Sequence, residues 1–166
     1  MKLSEYMAKV KAAEATGEYV GRDMVLAIDC TEDGNAASPG EYTYVGAHIE
    51  DYGAQLSPNT EDKSYVLEGD TTLKTSTQRT FQLTGQRLLS DEFQDFVCSF
   101  AIAFGTGSAV QRKYVYFHSG TKKGEQGVAT IIVNNDGNGA ASSPADIDVE
   151  IKCNSTTEYT YNVAAA

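Results

Sequence analysis

Charged and apolar residues strictly alternate in Asp146-Ile147-Asp148-Val149-Glu150-Ile151-Lys152-Cys153. Successive side chains of a β-strand point to opposite faces of a sheet, so this pattern predicts a strand with one buried and one exposed face. The isoleucines, the valine and the cysteine form the buried face. The exposed face is acidic.

Comparable signals predict a mainly β fold for the rest of the chain. Residues 24–30 alternate with apolar side chains on both sides, which is typical of a strand covered on both faces. Turn-forming residues recur at short intervals, which favours an antiparallel β-sandwich or a partly closed barrel of about eight short strands. The predicted strands are residues 24–30, 41–49, 64–67, 71–84, 110–118, 128–133, 146–153 and 158–163.

Two helices are expected beside this sheet. Apolar residues at helical spacing in residues 3–15 predict a short amphipathic helix; they are Leu3, Tyr6, Met7, Val10 and Ala13. A flanking helix should begin at Ser90-Asp91-Glu92, which supplies an N-cap and two acids in the first turn. Its apolar stripe, expected to lie on the sheet, consists of Phe93, Phe96, Val97, Phe100 and Phe104. We predict one domain over residues 1–166, with an N-terminal helical segment (1–22) and a β-sandwich core (24–163).

Two polar stretches stand out. Residues 72–84 carry Thr, Ser, Gln or Lys at every even position, which predicts a strand with one face in water and one end beyond the core. Residues 51–63 are predicted to form a long polar loop, in which Leu56 and Pro58 are the only sizeable apolar groups. Long loops inside small domains commonly make functional contacts.

Composition argues against several functions. A formal net charge of -10 excludes nucleic acid held through many phosphate contacts, which require a basic patch. Three widely spaced cysteines and two distant histidines predict free thiols and no metal site. No cofactor motif occurs. No apolar run is long enough for a signal peptide or a membrane span, so we expect no membrane association.

Five features occur in order between Tyr42 and Tyr161. They are the Tyr44-Val45 strand, the polar stretch 51–63, the Glu68-Gly69-Asp70 turn, the Leu83-Thr84-Gly85 strand end and the Asp91-Glu92-Phe93 helix start. In this order they resemble the tail tube, or major tail, proteins of tailed bacteriophages.

The resemblance implies a structural subunit, not an enzyme, in rings of six that stack into a tube conducting DNA without binding it specifically. Its implied partners are copies of itself and the tape-measure, initiator and terminator proteins of the tail. Its implied location is the virion tail, after assembly in the cytoplasm of the bacterial host.

Two faces compete for the lining of the implied lumen. One carries Asp146, Asp148 and Glu150, and the other is the row from Thr72 to Thr84 with Gln78 and Gln82. Either face is acidic or neutral and would keep DNA from adhering, whereas a basic lining would hold it. The residues expected to join stacked rings are Leu56, Pro58, Asn59, Glu61 and Asp62.

Other functions stay open at the level of sequence. One is another phage structural protein, such as a head decoration or head-tail joining protein. A second is a carbohydrate-binding β-sandwich that uses exposed tyrosines such as Tyr114, Tyr116, Tyr159 and Tyr161, although the chain lacks Trp. A small hydrolase would require paired carboxylates from the acidic strand, but nothing in the sequence sets one acid apart from its neighbour.

Overall fold

Seven strands and three short α-helices make up the part of the chain that the computed structural model describes, residues 1–11, 14 and 16–162. The helices are α1 (Leu3–Lys9), α2 (Glu92–Val97) and α3 (Phe100–Ala103). The strands are β1 (Met24–Ile28), β2 (Thr43–Tyr44), β3 (Ile49–Tyr65), β4 (Gly69–Gln86), β5 (Gln111–His118), β6 (Lys123–Asn138) and β7 (Asp146–Thr160). Short 3-10 helices lie at Gly21–Asp23, Pro39–Glu41 and Gly107–Val110.

The strands form one antiparallel sheet in the order β2-β1-β5-β6-β7-β4-β3, so the expected mainly β fold is confirmed. No ladder joins the edge strands β2 and β3, but residues 45–48 alone connect them. A flat sheet of this size would hold its edges about 29 Å apart. The connection spans at most about 17 Å. The sheet must therefore curl into a partly closed barrel.

The inner face of the curled sheet carries the main core. Ile147, Val149, Ile151 and Cys153 of β7 are all buried there, which confirms the alternation predicted for this strand. Phe93 and Val97 of α2 pack on the same cluster, as expected for the flanking helix. The opposite, outer face of β7 carries Asp146, Asp148 and Glu150.

Helix α1 covers the outer face over β1 and β5. Leu3 is fully buried in a second apolar cluster with Val25, Val115 and Phe117. The helix is shorter than predicted, because it ends at Lys9. Ala13, the last residue of its predicted stripe, lies outside the described residues. Among the described residues, no helix covers the outer face over β3, β4, β7 and the second half of β6.

Strands β6 and β7 are longer than the sequence indicated. The predicted strands 146–153 and 158–163 are one strand, because β7 pairs with β6 from Asp146 to Thr160. The polar residues between them lie at a register shift beside Val128 and Ala129, where a β-bulge interrupts the alternation. Position 163 lies outside the described residues. Strand β2, predicted over residues 41–49, is limited to two residues by the preceding 3-10 helix.

The prediction of a polar loop at residues 51–63 is wrong, because these residues belong to β3. They pair with β4 in a long hairpin that turns at residues 66–68 and continues at Gly69, whose φ of 78° suits glycine. Pairing of β4 with β7 stops at Thr80. Residues 56–79 therefore form ladder pairs only with each other, and we call them the hairpin arm. Neither face of the arm covers a core, so its sequence lacks the alternation that marks a strand.

The prediction of a single Phe-lined helix after residue 90 is also wrong, because the segment forms two short helices, α2 and α3. Ser99 adopts an extended conformation, with φ of -63° and ψ of 150°, and its Oγ donates to the carbonyl of Phe96. This break changes the direction of the side chains that follow. Ile102 points inward, whereas Phe100 and Phe104 are exposed.

Candidate assembly surfaces

The two rows of residues that the sequence offered as alternative linings are neighbours on one face. Glu150 lies directly opposite Gln82, and Asp148 lies opposite Thr84, across the β4–β7 ladder. Directly opposed residues share a face. The Gln82 side-chain amide also donates to the Asp148 carboxylate. We call this outer surface of β3, β4, β7 and the second half of β6 the polar face.

The polar face brings together four of the six predicted lining residues, Asp146, Asp148, Glu150 and Gln82. The other two lie on the hairpin arm. Gln78 donates to the Cys153 carbonyl at 3.3 Å, at the base of the arm. Thr72 donates to Asp62 at 2.7 Å, close to its tip.

All five residues predicted to join rings lie on the β3 side of the arm. Leu56, Pro58, Asn59, Glu61 and Asp62 are exposed in the isolated chain. Proline cannot donate to a ladder, so Pro58 suits an edge strand whose nitrogen faces away from β4. The sequence missed the tip itself, where Val66 and Leu67 are almost completely exposed.

Two stretches of backbone on the polar face have no ladder partner among the described residues. One is the outer edge of β3, since β3 ends the sheet. The other is the β5-facing edge of residues 131–138 in β6, because pairing with β5 stops at the Gln111–Thr130 pair. Open edges of this kind are templates for pairing with another chain. Nothing in the sequence indicated the second edge.

An ion pair holds the base of the hairpin arm. Arg79 bonds to Glu125 through two nitrogens, at 2.7 and 3.0 Å, and its guanidinium lies over the rings of Phe81 and Tyr116. Burial alone would lower the pKa of Arg79, but the bonds to Glu125 raise it, so the guanidinium stays charged. This pair joins β4 to β6 where β4 leaves the sheet.

The tyrosines proposed for sugar stacking are not available. Tyr114, Tyr116 and Tyr161 are buried, and Tyr159 packs partly buried beside the second cluster. The prediction of an exposed tyrosine platform is therefore wrong. A platform that stacks on sugar rings requires open aromatic faces.

The three cysteines are free, as predicted. Burial raises the pKa of Cys30 to about 12 and that of Cys153 to about 11, so both thiols are protonated at neutral pH. No group of residues suited to a metal ion occurs in the described ranges. Within the same ranges, no helix has the length and apolarity to cross a membrane.

No family model and no curated protein matches the sequence. Solved structures do match. A chain in the tail of an empty gene transfer agent particle, refined helically with C6 symmetry, aligns with a TM-score of 0.59 at 12% identity, covering 87% of this chain and 100% of its own. This chain has a tail-tube fold.

Two further structures share the tail-tube fold. A chain in the virion of the native gene transfer agent aligns with a TM-score of 0.58 at 10% identity, over 86% of this chain and 100% of its own. A chain in the extended sheath-tube complex of an extracellular contractile injection system aligns with a TM-score of 0.51 at 8% identity, over 97% and 99%. The predicted resemblance is confirmed as a likeness of fold.

Proposed function

We propose that this chain is the structural subunit of a tail tube, in which copies join edge to edge into six-membered rings and the rings stack around a channel for DNA. The observation that carries the proposal is the pair of open edges on one polar face. The tail-tube fold supports it, since one solved structure with this fold belongs to a tail refined with C6 symmetry.

Ring closure follows from the strand order. The polar face runs β6-β7-β4-β3, an even number of antiparallel strands, and its two outermost edges are the open ones. If β3 of one subunit pairs with residues 131–138 of the next, the antiparallel alternation continues without interruption. Repetition of one such contact gives a closed ring when the rotation between subunits divides the circle evenly.

The expected dimensions suit DNA. Strands about 4.8 Å apart make four strands about 19 Å wide, so six copies enclose a circumference of about 115 Å and a diameter of about 37 Å. Side chains narrow this opening, and strand tilt widens it. The result is a channel that accepts a duplex and not a solid core.

The polar face then lines the channel. Asp146, Asp148 and Glu150 repel phosphates, and Gln82 adds an uncharged amide. Lys152 follows these acids on the same face of β7, and its ammonium lies 3.5 Å from Glu150. Such a surface offers no array of cations to hold DNA, so DNA slides through without specific binding.

The hairpin arm joins successive rings. It extends about 37 Å past the last β4–β7 pair, about 10 Å farther than β7 continues in the same direction, so its tip passes the end of the subunit's own sheet. The arm carries Leu56, Pro58, Asn59, Glu61 and Asp62 to the neighbour. Tape-measure, initiator and terminator proteins would contact the channel and the two ends of the tube, and the finished tube would lie in the virion tail after assembly in the host cytoplasm.

Two variants test ring closure and stacking separately. Ala54 has the same parity along β3 as Pro58 and lies outside the arm, so Ala54→Pro removes an outward-facing N–H from the edge that ring closure uses without breaking the hairpin. We expect this variant to fold but to form no rings. Gln55→Pro is the matched control, because the Gln55 N–H faces β4. Loss of the hydrogen bond that it donates to β4 should unfold the hairpin.

Shortening the arm tests stacking. Replacing residues 61–73 with Asn-Gly, which joins the paired residues Thr60 and Lys74 through a tight turn, should leave rings that do not stack. Electron microscopy distinguishes the outcomes. Full tubes from the shortened chain would remove the arm from the account, and rings that never stack in the unaltered chain would instead favour a head-tail joining protein.

Charge reversal tests the lining. Tubes in which Asp146, Asp148 and Glu150 are replaced by Lys should retain fluorescent duplex DNA at low salt and release it as salt rises. Reversal of the same number of exposed acids elsewhere, at Glu18, Glu32 and Asp33, is the control. Equal retention by both sets of tubes would place the polar face outside the channel.

A further inference from the structure

The tip of the hairpin arm exposes large apolar side chains that serve no purpose within the subunit. Val66 is fully exposed, and Leu67 is 90% exposed, at the turn between β3 and β4. Neither belongs to a core cluster. A turn of this kind normally carries polar residues, so the exposed pair suggests a contact surface.

A second apolar group lies at the far end of the sheet. Phe100 is 80% exposed and Phe104 is 73% exposed, with ring centroids 4.9 Å apart. Leu89, 74% exposed, precedes the same helices. We call these three residues the phenylalanine end.

The ladders fix the two groups at opposite ends of the molecule. Strand β4 runs from Gly69, beside the tip, to Gln86, and the chain then passes through α2 and α3 to the start of β5 at Gln111. Gln86 pairs with Asp146 at the start of β7, whereas Gln111 pairs with Thr130, which lies opposite Lys152 and therefore level with Thr80 at the base of the arm. The phenylalanine end lies on the connection between these two points, and both points are remote from the tip.

Two different surfaces at opposite ends of one chain meet when copies stack head to tail. We propose that the Val66-Leu67 tip of one subunit packs on the phenylalanine end of a second copy in the next ring. This inference rests on the proposed tube, and it names the surface that receives the arm. The contact covers both apolar groups at once and repeats along the whole tube.

Cysteine pairs test the contact directly. In the full chain with Cys98→Ser, which removes the thiol nearest Phe100, Leu67→Cys is combined with Phe104→Cys. Mild oxidation of the stacked assembly should yield a ladder of covalent multimers on a denaturing gel. Leu67→Cys with Glu158→Cys is the control, because Glu158 is exposed and lies beyond Lys152 in β7, on the side of the Thr80–Lys152 pair to which the arm extends, and should give no ladder.

Serine variants test the energetic role of the same contact. Val66→Ser with Leu67→Ser, or Phe100→Ser with Phe104→Ser, should raise the subunit concentration needed for stacking by at least about tenfold while leaving rings intact. Val20→Ser should leave that concentration unchanged. Both variants change exposed residues only, so far-UV circular dichroism should match that of the unaltered chain.

The outcomes separate this inference from the proposed function. Stacked tubes whose Leu67→Cys and Phe104→Cys thiols stay unlinked, or that stack normally with serine at both groups, would overturn the tip contact and leave the tube standing. Absence of rings and stacks from the unaltered chain would overturn both. A ladder confined to the Leu67→Cys/Phe104→Cys pair is the result we expect.

Discussion

Replacing Gln94 with leucine should be among the most damaging changes to this fold, although Gln94 lies on a helix of six residues. Its side chain is fully buried and makes three hydrogen bonds, accepting from the Leu88 N–H at 2.7 Å and donating to the carbonyls of Ala47 at 2.8 Å and Gln86 at 3.1 Å. These bonds join the connection between the two sheet edges to the end of β4.

The magnitude follows from the groups left without partners. Leucine fills nearly the same volume, so the loss is that of three bonds of about 0.5–1.5 kcal/mol each, plus the desolvation of buried backbone groups. We expect Gln94→Leu to lower the free energy of unfolding by about 4 kcal/mol. For a chain of this size the urea midpoint should fall by about 2 M.

Urea unfolding followed by far-UV circular dichroism measures the effect. Gln111→Leu is the control, because Gln111 is exposed and its substitution should change stability by less than about 0.5 kcal/mol. A midpoint for Gln94→Leu within about 0.5 M of the unaltered chain would refute the view that Gln94 holds the edges of the curled sheet together.

Three further changes have outcomes of predictable sign. Ile151→Ala should lower the free energy of unfolding in urea by about 3 kcal/mol, whereas Lys152→Ala, on the opposite face, should leave it nearly unchanged; similar losses would refute the assigned faces. Arg79→Met should cost about 2 kcal/mol in the same assay, because it leaves a partly buried carboxylate unpaired; no loss would refute that role. Burial alone would raise the pKa of Glu92, but bonds from Lys2 and the terminal ammonium lower it below 4.5. The resulting stability is present above that value and is lost as pH falls through the lower folded pKa, so Glu92→Gln should flatten the acid limb of a stability-pH curve.

The sequence predicted most of the strands that bury one face. Residues 51–55 of β3 are an exception, because Tyr52 and Ala54 pack on the core although this segment was predicted to be a loop. In β7 the apolar Ile151 contacts the core and the charged Lys152 contacts water, so the alternation of residue types directly indicates the two faces.

The same rule explains the failure at the hairpin arm. Asp62 and Thr72 lie opposite each other on two paired strands that have no core on either face. Both faces of the arm are therefore polar, and its sequence shows no alternation of apolar and polar residues.

Other failures depended on a single backbone conformation or on long-range pairing. The extended conformation of Ser99 exposes Phe100 and Phe104, although their spacing fits a continuous helix. That Gln82 and Asp148 share one face depends on the pairing of strands 66 residues apart in the chain. The periodicity of a sequence reports only on neighbouring residues, so it does not show which distant strands pair.

Electron microscopy of the purified full chain over a range of concentrations, with light scattering on the same samples, shows whether the subunit assembles into a tube. We expect rings with six-fold symmetry and a central opening, which stack into hollow tubes as concentration rises. A protein that stays monomeric at every concentration, even when offered preformed rings as seeds, would contradict this expectation.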